Sequence, residues 1–432
     1  MFGITVGSHS DTTLQQGKTP HERIQPFERE LPIMTSVYPA PSPQPDVAFV
    51  NPSQFGPIEL VVIQPTSFCN LNCDYCYLPH RQQRHRLSLD LLEPIFKRLF
   101  TSQFLRSNFS ICWHAGEPLA AGLAFYEAAF AQIEQLAEIY KPEGICFNHS
   151  IQTNGLLLNQ AWCDLFKRYR VHVGVSIDGP EFLHDAHRKT PTGLGSHAGA
   201  LRGIQLLQKN HIPLSTITVL TADSLGYANE IFDFFVEHGI TNVGFNMEET
   251  EGIHARSSLN GPGVEARYRD FLTQFWQRLT SAGNPLQVRE FESMCSLVYT
   301  NTRLHNTDMN HPFRIVSIDH QGNFATFDPE LLSMPSDHYG DFVLGNVVEH
   351  SFEEACQTPK FQRIYQEMQQ GVALCQQTCE YFGVCGGGAG SNKYWENGTF
   401  ASAETQACRY RIKAVTDIAL AALEDSLDSG TG

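Results

Sequence analysis

Short hydrophobic runs rich in β-branched residues alternate with amphipathic stretches through the middle of the chain. The runs have the length and composition of buried strands, and the stretches between them have helical periodicity. The predicted strands are 58–64, 109–114, 145–152, 171–177, 213–220 and 242–246, and the predicted helices are 88–101, 123–140, 160–169, 199–209 and 227–238. Repeated β-α units indicate a parallel sheet covered by helices, so we expect an α/β fold with a partial (β/α)6 TIM-like barrel.

The chain on either side of this alternation has a different character. Residues 1–56 are rich in Pro, Ser, Thr and Gln and lack sustained periodicity, which predicts a flexible N-terminal arm. Residues 57–300 are expected to form the barrel together with bridging helices. Residues 301–432 carry a group of four cysteines and are expected to form a small second domain that ends in a helix.

Composition narrows the class of protein. The formal net charge of −16 argues against nucleic-acid binding, because that needs Lys and Arg to neutralise phosphates. Twelve cysteines in 432 residues are too sparse for a secreted disulfide scaffold, and the start of the chain lacks the pattern of a signal peptide. The longest apolar runs are shorter than a membrane span. We therefore expect a cytoplasmic protein with reduced or metal-bound thiols and without a nucleic-acid or membrane partner.

Three cysteines, Cys69, Cys73 and Cys76, form a C-x3-C-x2-C run just after the first predicted strand. Iron–sulfur clusters that only carry electrons normally have four cysteine ligands, so a local triplet suggests a cluster with one iron open to another ligand. A structural zinc site completed by other Cys or His residues is the alternative. Loops at the C-terminal strand ends carry the chemistry of such barrels, and the triplet falls on one of them.

With Tyr75 directly before the third cysteine, this run resembles the signature of the radical S-adenosylmethionine (SAM) superfamily. The resemblance implies that the three cysteines hold a [4Fe-4S] cluster whose open iron binds SAM. It also implies SAM contacts at later strand ends, although Ala115 replaces the first glycine of the family's Gly-Gly-Glu-Pro segment. The residues implied are Gly116 and Glu117 near the amino group, Gln152, Asn154, Ser176 and Asp178 near the ribose, and Arg188 near the carboxylate.

Three of the polar residues in this region have simpler interpretations. A solvated surface charge is the alternative for Arg188. His184 and His187 could suggest a metal site, but we expect them to be solvated or to cap a helix.

A second group of cysteines lies near the C-terminus and consists of Cys375, Cys379, Cys385 and Cys408. Four thiolates are enough to complete one cluster, and a zinc ribbon is the alternative. The spacing resembles the SPASM extension of peptide-modifying radical SAM enzymes, which often carries two auxiliary clusters. Phe327 and Ala389 stand where that extension has further cysteines. We therefore expect one auxiliary [4Fe-4S] cluster and, in all, a radical SAM barrel followed by a small SPASM-type iron–sulfur domain.

Longer strings narrow the resemblance further. Segments 245–254, 327–332, 379–382, 385–388 and 391–398 are similar to the GrrM/OscB group of radical SAM/SPASM maturases, and the resemblance covers 58–411. It implies an oxidoreductase that matures a ribosomally synthesised peptide (RiPP) by cyclophane formation, a carbon–carbon crosslink from an aromatic ring to a side-chain β-carbon. The implied partners are a precursor peptide with aromatic residues and an external one-electron reductant such as flavodoxin or ferredoxin.

The implied chemistry needs a proton acceptor when the aromatic ring is restored. Glu248 and Glu249 follow the sixth predicted strand and are the candidates, with a solvated acidic turn as the alternative. Related scaffolds form thioethers or oxidise sulfatase residues, and the ligand motifs alone do not separate these outcomes. From a different class, a non-catalytic zinc or iron–sulfur scaffold that binds peptides also remains open.

Overall fold

A mostly parallel sheet forms the centre of the structure. The computed structural model describes residues 51–332 and 334–429, so the predicted arm lies outside the described residues except for its last six. The strands are β1 (Leu60–Ile63), β2 (Phe109–Trp113), β3 (Phe147–Thr153), β4 (His172–Ser176), β5 (Leu214–Leu220), β6 (Asn242–Met247), β7 (Gln287–Val288), β8 (Ile315–Ile318), β9 (Asn323–Thr326), β10 (Pro335–Ser336), β11 (Gly340–Asp341) and β12 (Gly345–Asn346).

Helices follow most of these strands. They are α1 (Leu92–Thr101), α2 (Leu123–Tyr140), α3 (Gln160–Tyr169), α4 (Glu181–His187), α5 (His197–Lys209), α6 (Ala228–Glu237), α7 (Val264–Ser281), α8 (Arg289–Tyr299), α9 (Phe352–Ala355), α10 (Pro359–Thr378), α11 (Phe382–Cys385), α12 (Gly390–Asn397), α13 (Gln406–Cys408) and α14 (Val415–Ser429). Short 3₁₀ helices lie at Pro52–Gln54, Leu89–Leu91, Pro118–Ala121, Ser224–Gly226 and Pro329–Leu331, and a π-helical segment at Arg409–Ala414 precedes α14.

The large sheet has the strand order β12-β9-β8-β1-β2-β3-β4-β5-β6-β7. Strands β1 to β6 pair with one another in sequence order and in parallel, which confirms the predicted (β/α)6 arrangement. Strand β8 pairs in parallel with β1, and β9 and β12 continue the sheet in antiparallel fashion. The chain after residue 300 thus extends the barrel sheet directly, which local periodicity did not predict.

Hydrophobic spacing and capping explain individual helices. In α1 the buried residues Leu92, Ile95, Phe96, Leu99 and Phe100 recur at the spacing of one helical face, so this face packs against the sheet. Helix α10 begins at Pro359, after the Thr358 side chain accepts a hydrogen bond from a backbone N–H of its first turn. Proline suits the first helical position because it has no N–H that needs an intrahelical partner.

Alternation along the barrel strands separates an apolar face from a polar one. On β3, His149, Ile151 and Thr153 are buried beneath the helices, whereas Ser150 and Gln152 are partly exposed. Side chains on the second face bond across neighbouring strands, as with Ser110 to Asn148, Gln152 to Ser176 and His172 to Ser215. Because successive side chains point to opposite faces of a strand, the barrel interior carries a polar lining that leads toward the C-terminal strand ends. None of the helices that the structure describes is long and apolar enough to cross a membrane.

Candidate functional site

The cysteine triplet lies on the loop that follows β1, at the carboxyl end of the parallel strands. Cys69, Cys73 and Cys76 are all partly exposed. Backbone hydrogen bonds fix the loop: the Cys69 N–H donates to the Arg81 carbonyl at 2.8 Å, and the Asn72 N–H donates to the Lys189 carbonyl at 2.7 Å. The triplet is therefore held by hydrogen bonds to two later segments of the chain.

Arg81 organises this loop, although no sequence motif pointed to it. Its guanidinium donates to the Asn72 amide oxygen at 2.8 Å and to the carbonyl oxygens of Cys73 and Cys76 at 3.1 and 3.3 Å. These bonds occupy carbonyl groups inside the cysteine loop and so define its path. The signal that could have found Arg81 is weak, because a single arginine five residues after the triplet forms no motif.

The aromatic residue of the triplet is part of a buried ionic group. The Tyr75 hydroxyl donates to Asp178 Oδ2 at 2.5 Å, and Arg188 binds the same carboxylate through Nε and Nη2 at 2.8 and 3.0 Å. The Arg188 guanidinium carbon also lies 5.3 Å from the Tyr75 ring centre. Both Asp178 and Arg188 are buried. Burial works to raise the pKa of Asp178, but the charge of Arg188 outweighs it and holds that pKa below its ordinary value.

This ionic group differs from the arrangement that the sequence suggested. Asp178 and Arg188 bind each other and the cysteine loop, and the Val219 N–H also donates to Asp178 at 2.9 Å. Arg188 is thus not the solvated surface charge that was the alternative, since it is 7% exposed. The contacts of Asp178 with the ribose and of Arg188 with the carboxylate of SAM stay predictions.

We expected the two histidines of α4 to be solvated or to cap a helix, and the first of these alternatives is wrong. His184 is 1% exposed and His187 is 5% exposed. The Asp178 N–H donates to His184 Nδ1 at 3.2 Å, and His187 Nδ1 lies 3.1 Å from the Asp74 carboxylate. Both rings therefore support the segment that carries Asp178 and Arg188 against the cysteine loop.

Gly116 and Glu117 form a tight turn after β2, next to the cysteine loop. Gly116 has φ of +68°, and a Cβ there would lie 2.6 Å from the Thr66 carbonyl oxygen and 2.7 Å from that of Phe68. Only glycine meets both conditions without strain. The Glu117 carboxylate is buried and accepts hydrogen bonds from the Leu119 N–H, the Thr153 hydroxyl and the Asn154 N–H, at 2.9, 2.7 and 2.9 Å. Glu117 thus joins the ends of β2 and β3, and its contact with the SAM amino group stays a prediction.

Asn154 connects β3 to the cysteine loop. Its side-chain amide donates to Asn70 Oδ1 at 2.6 Å and lies 4.0 Å from Cys69 Sγ. One strand further, the Gln152 amide donates to the Ser176 hydroxyl at 3.0 Å. The residues predicted to contact SAM therefore come together around the triplet and on the neighbouring strand ends, from four separate segments of the chain.

The C-terminal cysteines also come together. Cys375, Cys379, Cys385 and Cys408 line one cavity of about 360 Å³. They come from the end of α10, the residue after it, the end of α11 and the end of α13. Three consecutive glycines with positive φ follow Cys385, and the Asn310 side-chain amide donates to the carbonyls of Gly386 and Gly388 at 2.9 Å each.

The two positions where the sequence lacks further cysteines differ in their surroundings. Phe327 is buried, with its ring centre 6.3 Å from that of Phe361. Ala389 lines the same cavity as the four cysteines. An apolar packing residue thus occupies the first of these positions, and a side chain without a ligand atom occupies the second.

Comparison with known proteins places this geometry in a family. The family described as the radical SAM superfamily matches residues 63–235. The uncharacterized protein sll1766 of Synechocystis is 62% identical over 379 residues, which cover 88% of this chain and 95% of that protein. The chain belongs to the radical SAM superfamily.

Two further relatives connect this radical SAM protein to characterised enzymes. The serine-type anaerobic sulfatase-maturating enzyme of Klebsiella aerogenes is 35% identical over 190 residues, 44% of this chain and 46% of that enzyme. The solved structure of native anSMEcpe with bound AdoMet and Kp18Cys peptide has a TM-score of 0.70 at 22% identity, covering 86% of this chain and 99% of that one. At that identity the likeness concerns the fold, and it confirms a radical SAM α/β barrel with a C-terminal extension.

Radical SAM enzymes use SAM and a [4Fe-4S] cluster, and the triplet suits such a cluster. Burial raises the pKa of the Cys69 thiol to about 12 and that of the Cys73 thiol to about 11. Because the thiolate is the form that binds metal, ligation at this site requires a strongly positive partner. A cluster of iron ions meets that requirement, and Cys76 completes the set on the same loop.

A zinc site requires its ligand atoms to lie close to one another. Four sulfur atoms bound to zinc at about 2.3 Å lie about 3.8 Å apart. Among the described residues, the one group of three or more His, Cys, Asp or Glu with ligand atoms within 4.8 Å of one another is Glu249, Glu251 and Glu330. Neither cysteine group is that compact in the structure, and membership of the radical SAM superfamily favours a [4Fe-4S] cluster at the triplet.

The two predicted proton acceptors of this radical SAM enzyme have different surroundings. Glu248 is buried, and its carboxylate lies 3.0 Å from His254 Nε2 and accepts the Ser258 N–H at 2.8 Å. These bonds close the loop that follows β6. Glu249 instead pairs with Arg411 at 2.9 Å. Neither residue forms the solvated acidic turn that was the alternative, because Glu248 is 1% exposed and the side chain of Glu249 is 14% exposed.

Sequence reasoning missed two carboxylates beside Glu249. Glu251 and Glu330 have carboxylate oxygens within 4.8 Å of a Glu249 oxygen and of each other. Burial first, and the neighbouring carboxylates second, raise the pKa of Glu251 and of Glu330 well above the ordinary range. Such shifts favour the protonated form of both carboxyl groups. No local pattern could have joined Glu251 with Glu330, because 79 residues separate them along the chain.

Gly174 gives a direct test of the predicted role of Gln152. A Cβ at Gly174 would lie 2.0 Å from Gln152 Oε1, the end of a flexible side chain. Gly174→Ala should therefore move Gln152 off Ser176 with little effect on the backbone. We expect SAM to bind about tenfold more weakly, which is about 1.4 kcal/mol, while the free energy of unfolding changes by less than about 1 kcal/mol. Equilibrium dialysis with labelled SAM measures the first quantity and chemical denaturation the second.

The matched variant for this test is Gln152→Ala, which removes the same side chain without crowding the strand. It should weaken SAM binding to a similar extent. Unchanged affinity in both variants would remove Gln152 from the set of SAM contacts.

Proposed function

We propose that this radical SAM enzyme is a peptide maturase that forms carbon–carbon crosslinks of the cyclophane type in a ribosomally synthesised precursor. The observation that carries the proposal is the presence, in one chain, of a site with three cysteines and a second site with four. The triplet leaves one iron of a cluster open, and the four C-terminal cysteines complete a second cluster. An oxidative crosslink needs both kinds of site, one to start a radical reaction and one to receive an electron.

In this proposal, separate groups of residues bind the cluster and SAM. Cys69, Cys73 and Cys76 hold the cluster to which SAM binds, and the strand ends that carry Gly116, Gln152 and Ser176 hold SAM next to it. With both bound, one electron and SAM supply a 5′-deoxyadenosyl radical that can take a hydrogen atom from an unactivated carbon. The turn at Gly116 and the buried ionic group around Tyr75 fix the loop that would hold the cluster.

The four C-terminal cysteines hold the auxiliary [4Fe-4S] cluster in this proposal. The four cysteines line one cavity, which supports this assignment, and the buried Phe327 has no ligand atom to add to the set. A saturated cluster has no iron open to substrate, so its role is to exchange electrons. One such cluster is sufficient for the removal of a single electron per crosslink.

The proposed partners are a precursor peptide with aromatic residues and an external one-electron reductant such as flavodoxin or ferredoxin. The structural relative anSMEcpe was solved with a peptide together with AdoMet, which supports a peptide as the class of substrate. Polar side chains of the barrel strands, such as Gln152 and Ser176, are partly exposed and are available for contact with such a peptide.

We propose Glu249, which lies beside Glu251 and Glu330, as the group that accepts the proton when the aromatic ring is restored. The Glu248 carboxylate is engaged inside its own loop, so Glu249 is the better of the two residues suggested by the sequence. Three carboxyl groups within 4.8 Å of one another cannot all carry a full charge at low cost, and a proton is readily shared among them.

The product of the reaction tests the proposal. Formation of each ring removes one hydrogen atom from an aliphatic carbon, and then one electron and one proton from the aromatic ring, so the precursor should become lighter by two hydrogen atoms. The enzyme would be incubated anaerobically with SAM, a reductant and the precursor encoded beside its gene. Tandem mass spectrometry and NMR would then locate the new bond. A bond from a ring carbon to a β-carbon, retained in a cysteine-free precursor, is the expected result.

Sulfatase maturation is the second candidate, because the Klebsiella aerogenes relative is a sulfatase-maturating enzyme. Oxidation of a serine side chain to an aldehyde also removes two hydrogen atoms, so mass alone does not separate the two reactions. A hydrazide probe reacts with an aldehyde and does not react with a cyclophane. Labelling of a sulfatase-derived peptide by this probe, without crosslinking of the aromatic precursor, would replace the first proposal with the second; a thioether would exclude both.

A further inference from the structure

A buried lysine lies beside one of the four C-terminal cysteines. Lys393 belongs to α12 and is 3% exposed, and its Nζ donates to Cys375 Sγ at 3.3 Å. No carboxylate oxygen of the described residues forms an ion pair with it within 4.0 Å. The cation is therefore placed against sulfur rather than against an acidic side chain.

The fold leaves space for this contact. Gly371 lies four residues before Cys375 in α10. A Cβ at Gly371 would lie 3.1 Å from Lys393 Nζ and 2.1 Å from the Phe400 carbonyl oxygen. A side chain at this position would therefore push against both groups. The absence of a Cβ at Gly371 lets α10 and α12 approach closely enough for the ammonium group to reach Cys375.

Two other cations line the same cavity, but each has an acidic partner. Lys413 lies 2.8 Å from Glu404, and Arg411 lies 2.9 Å from Glu249. Their charges are largely neutralised locally. Burying an ammonium group is costly unless it is paired and hydrogen-bonded, and the sulfur of Cys375 is the partner that the structure provides for Lys393.

The charge of Lys393 has a definite consequence for a cluster bound at this site. One-electron reduction adds a negative charge to a cluster that four thiolates already surround, without forming or breaking a bond. A nearby positive charge favours the reduced form, more strongly in a buried site than in water. Hydrogen bonds to the sulfur ligands act in the same direction.

We propose that Lys393 is a positioning residue that raises the reduction potential of the auxiliary [4Fe-4S] cluster through its hydrogen bond to Cys375. The inference rests on the part of the proposed function that gives these four cysteines a cluster, and it is independent of the peptide product. Lys393 on α12 would make the auxiliary cluster a better electron acceptor. A crosslinking reaction requires such an acceptor.

Redox titration of the full-length chain tests this role. Cys69, Cys73 and Cys76 would be replaced by alanine, so that the remaining electron paramagnetic resonance signal belongs to the C-terminal site. Lys393→Met should lower the equilibrium constant for reduction at least tenfold, which is about 59 mV for a one-electron couple. Lys393→Arg keeps the charge and should stay within about threefold of the parent, and Lys413→Met, whose lysine is paired with Glu404, should shift the equilibrium much less than Lys393→Met.

The outcomes separate the failure of this inference from failure of the proposed function. If the parent chain holds no iron–sulfur cluster at the C-terminal site, the proposed auxiliary cluster fails. If the cluster is present and Lys393→Met leaves its potential unchanged, or Lys413→Met lowers it equally, the role of Lys393 is overturned.

Should Lys393→Met lose its iron, Lys393→Gln replaces it. Loss of iron from both uncharged variants but not from Lys393→Arg supports the charge interaction, and loss from all three contradicts it.

Discussion

Replacing Cys69, Cys73 and Cys76 together by alanine is expected to abolish production of 5′-deoxyadenosine. The three thiols lie on one loop after β1, and no other described group of cysteines adjoins the predicted SAM contacts. The C-terminal cysteines line their own cavity, so their cluster should survive. After anaerobic reconstitution we expect about eight irons per chain in the unaltered protein and about four in the variant. Chromatography of SAM cleavage products and iron analysis measure the two effects.

A matched control removes cysteines that belong to neither group. Cys146 is exposed and Cys295 is partly buried, and their double replacement by alanine should leave both the iron content and SAM cleavage unchanged. Persistent cleavage in the triplet variant would show that the reaction occurs elsewhere. Stoichiometric zinc in place of iron in the unaltered protein would exclude both clusters.

Replacing Asp178 by asparagine is expected to destabilise the fold by about 3–5 kcal/mol, since it leaves the buried charge of Arg188 without its partner. Asp178 and Arg188 share two hydrogen bonds at 2.8 and 3.0 Å, and both are buried. The variant should also weaken the anchor of Tyr75, and with it the incorporation of iron at the triplet. Urea denaturation of the metal-free protein, followed by circular dichroism, measures the change in unfolding free energy.

An exposed ion pair provides the control for this variant. Arg278 and Asp233 lie 2.9 Å apart, and their side chains are 46% and 47% exposed. Asp233→Asn should change stability by less than about 1 kcal/mol, because solvent screens the pair. The double variant Asp178→Asn with Arg188→Met should recover part of the stability by removing the unpaired charge. Equal effects of Asp178→Asn and Asp233→Asn would contradict the importance of the buried pair.

The hydrophobic pattern along the sequence predicted the six barrel strands, because each strand is encoded by a short run of neighbouring residues. The buried strands are short, β-branched and followed by glycine or polar residues, and every predicted strand overlaps an observed one. Strands β8 and β9 were missed for a physical reason. Each has four residues, and their place in the sheet depends on pairing of β8 with β1, more than 250 residues earlier in the chain. Local periodicity contains no information on such a partner.

The cysteine triplet shows how much of a site the sequence alone can determine. Cys69, Cys73 and Cys76 lie on a single loop, so their spacing restricts their geometry before any tertiary contact forms. The four C-terminal cysteines could be grouped by spacing as well, since they span 34 residues. That they line one cavity was decided by the packing of α10, α11 and α13.

The partners of the buried charged groups were decided by the tertiary structure. Tyr75 meets Asp178 across 103 residues, and Asn392 meets Glu251 across 141 residues. The sequence identified Asp178 and Arg188 as functional candidates, but it did not indicate that they bind each other. A buried charge must be compensated by whichever opposite charge or hydrogen-bonding group the fold brings beside it. Chain spacing therefore determined the local ligand loop, and packing of distant segments determined the electrostatic surroundings in which its chemistry takes place.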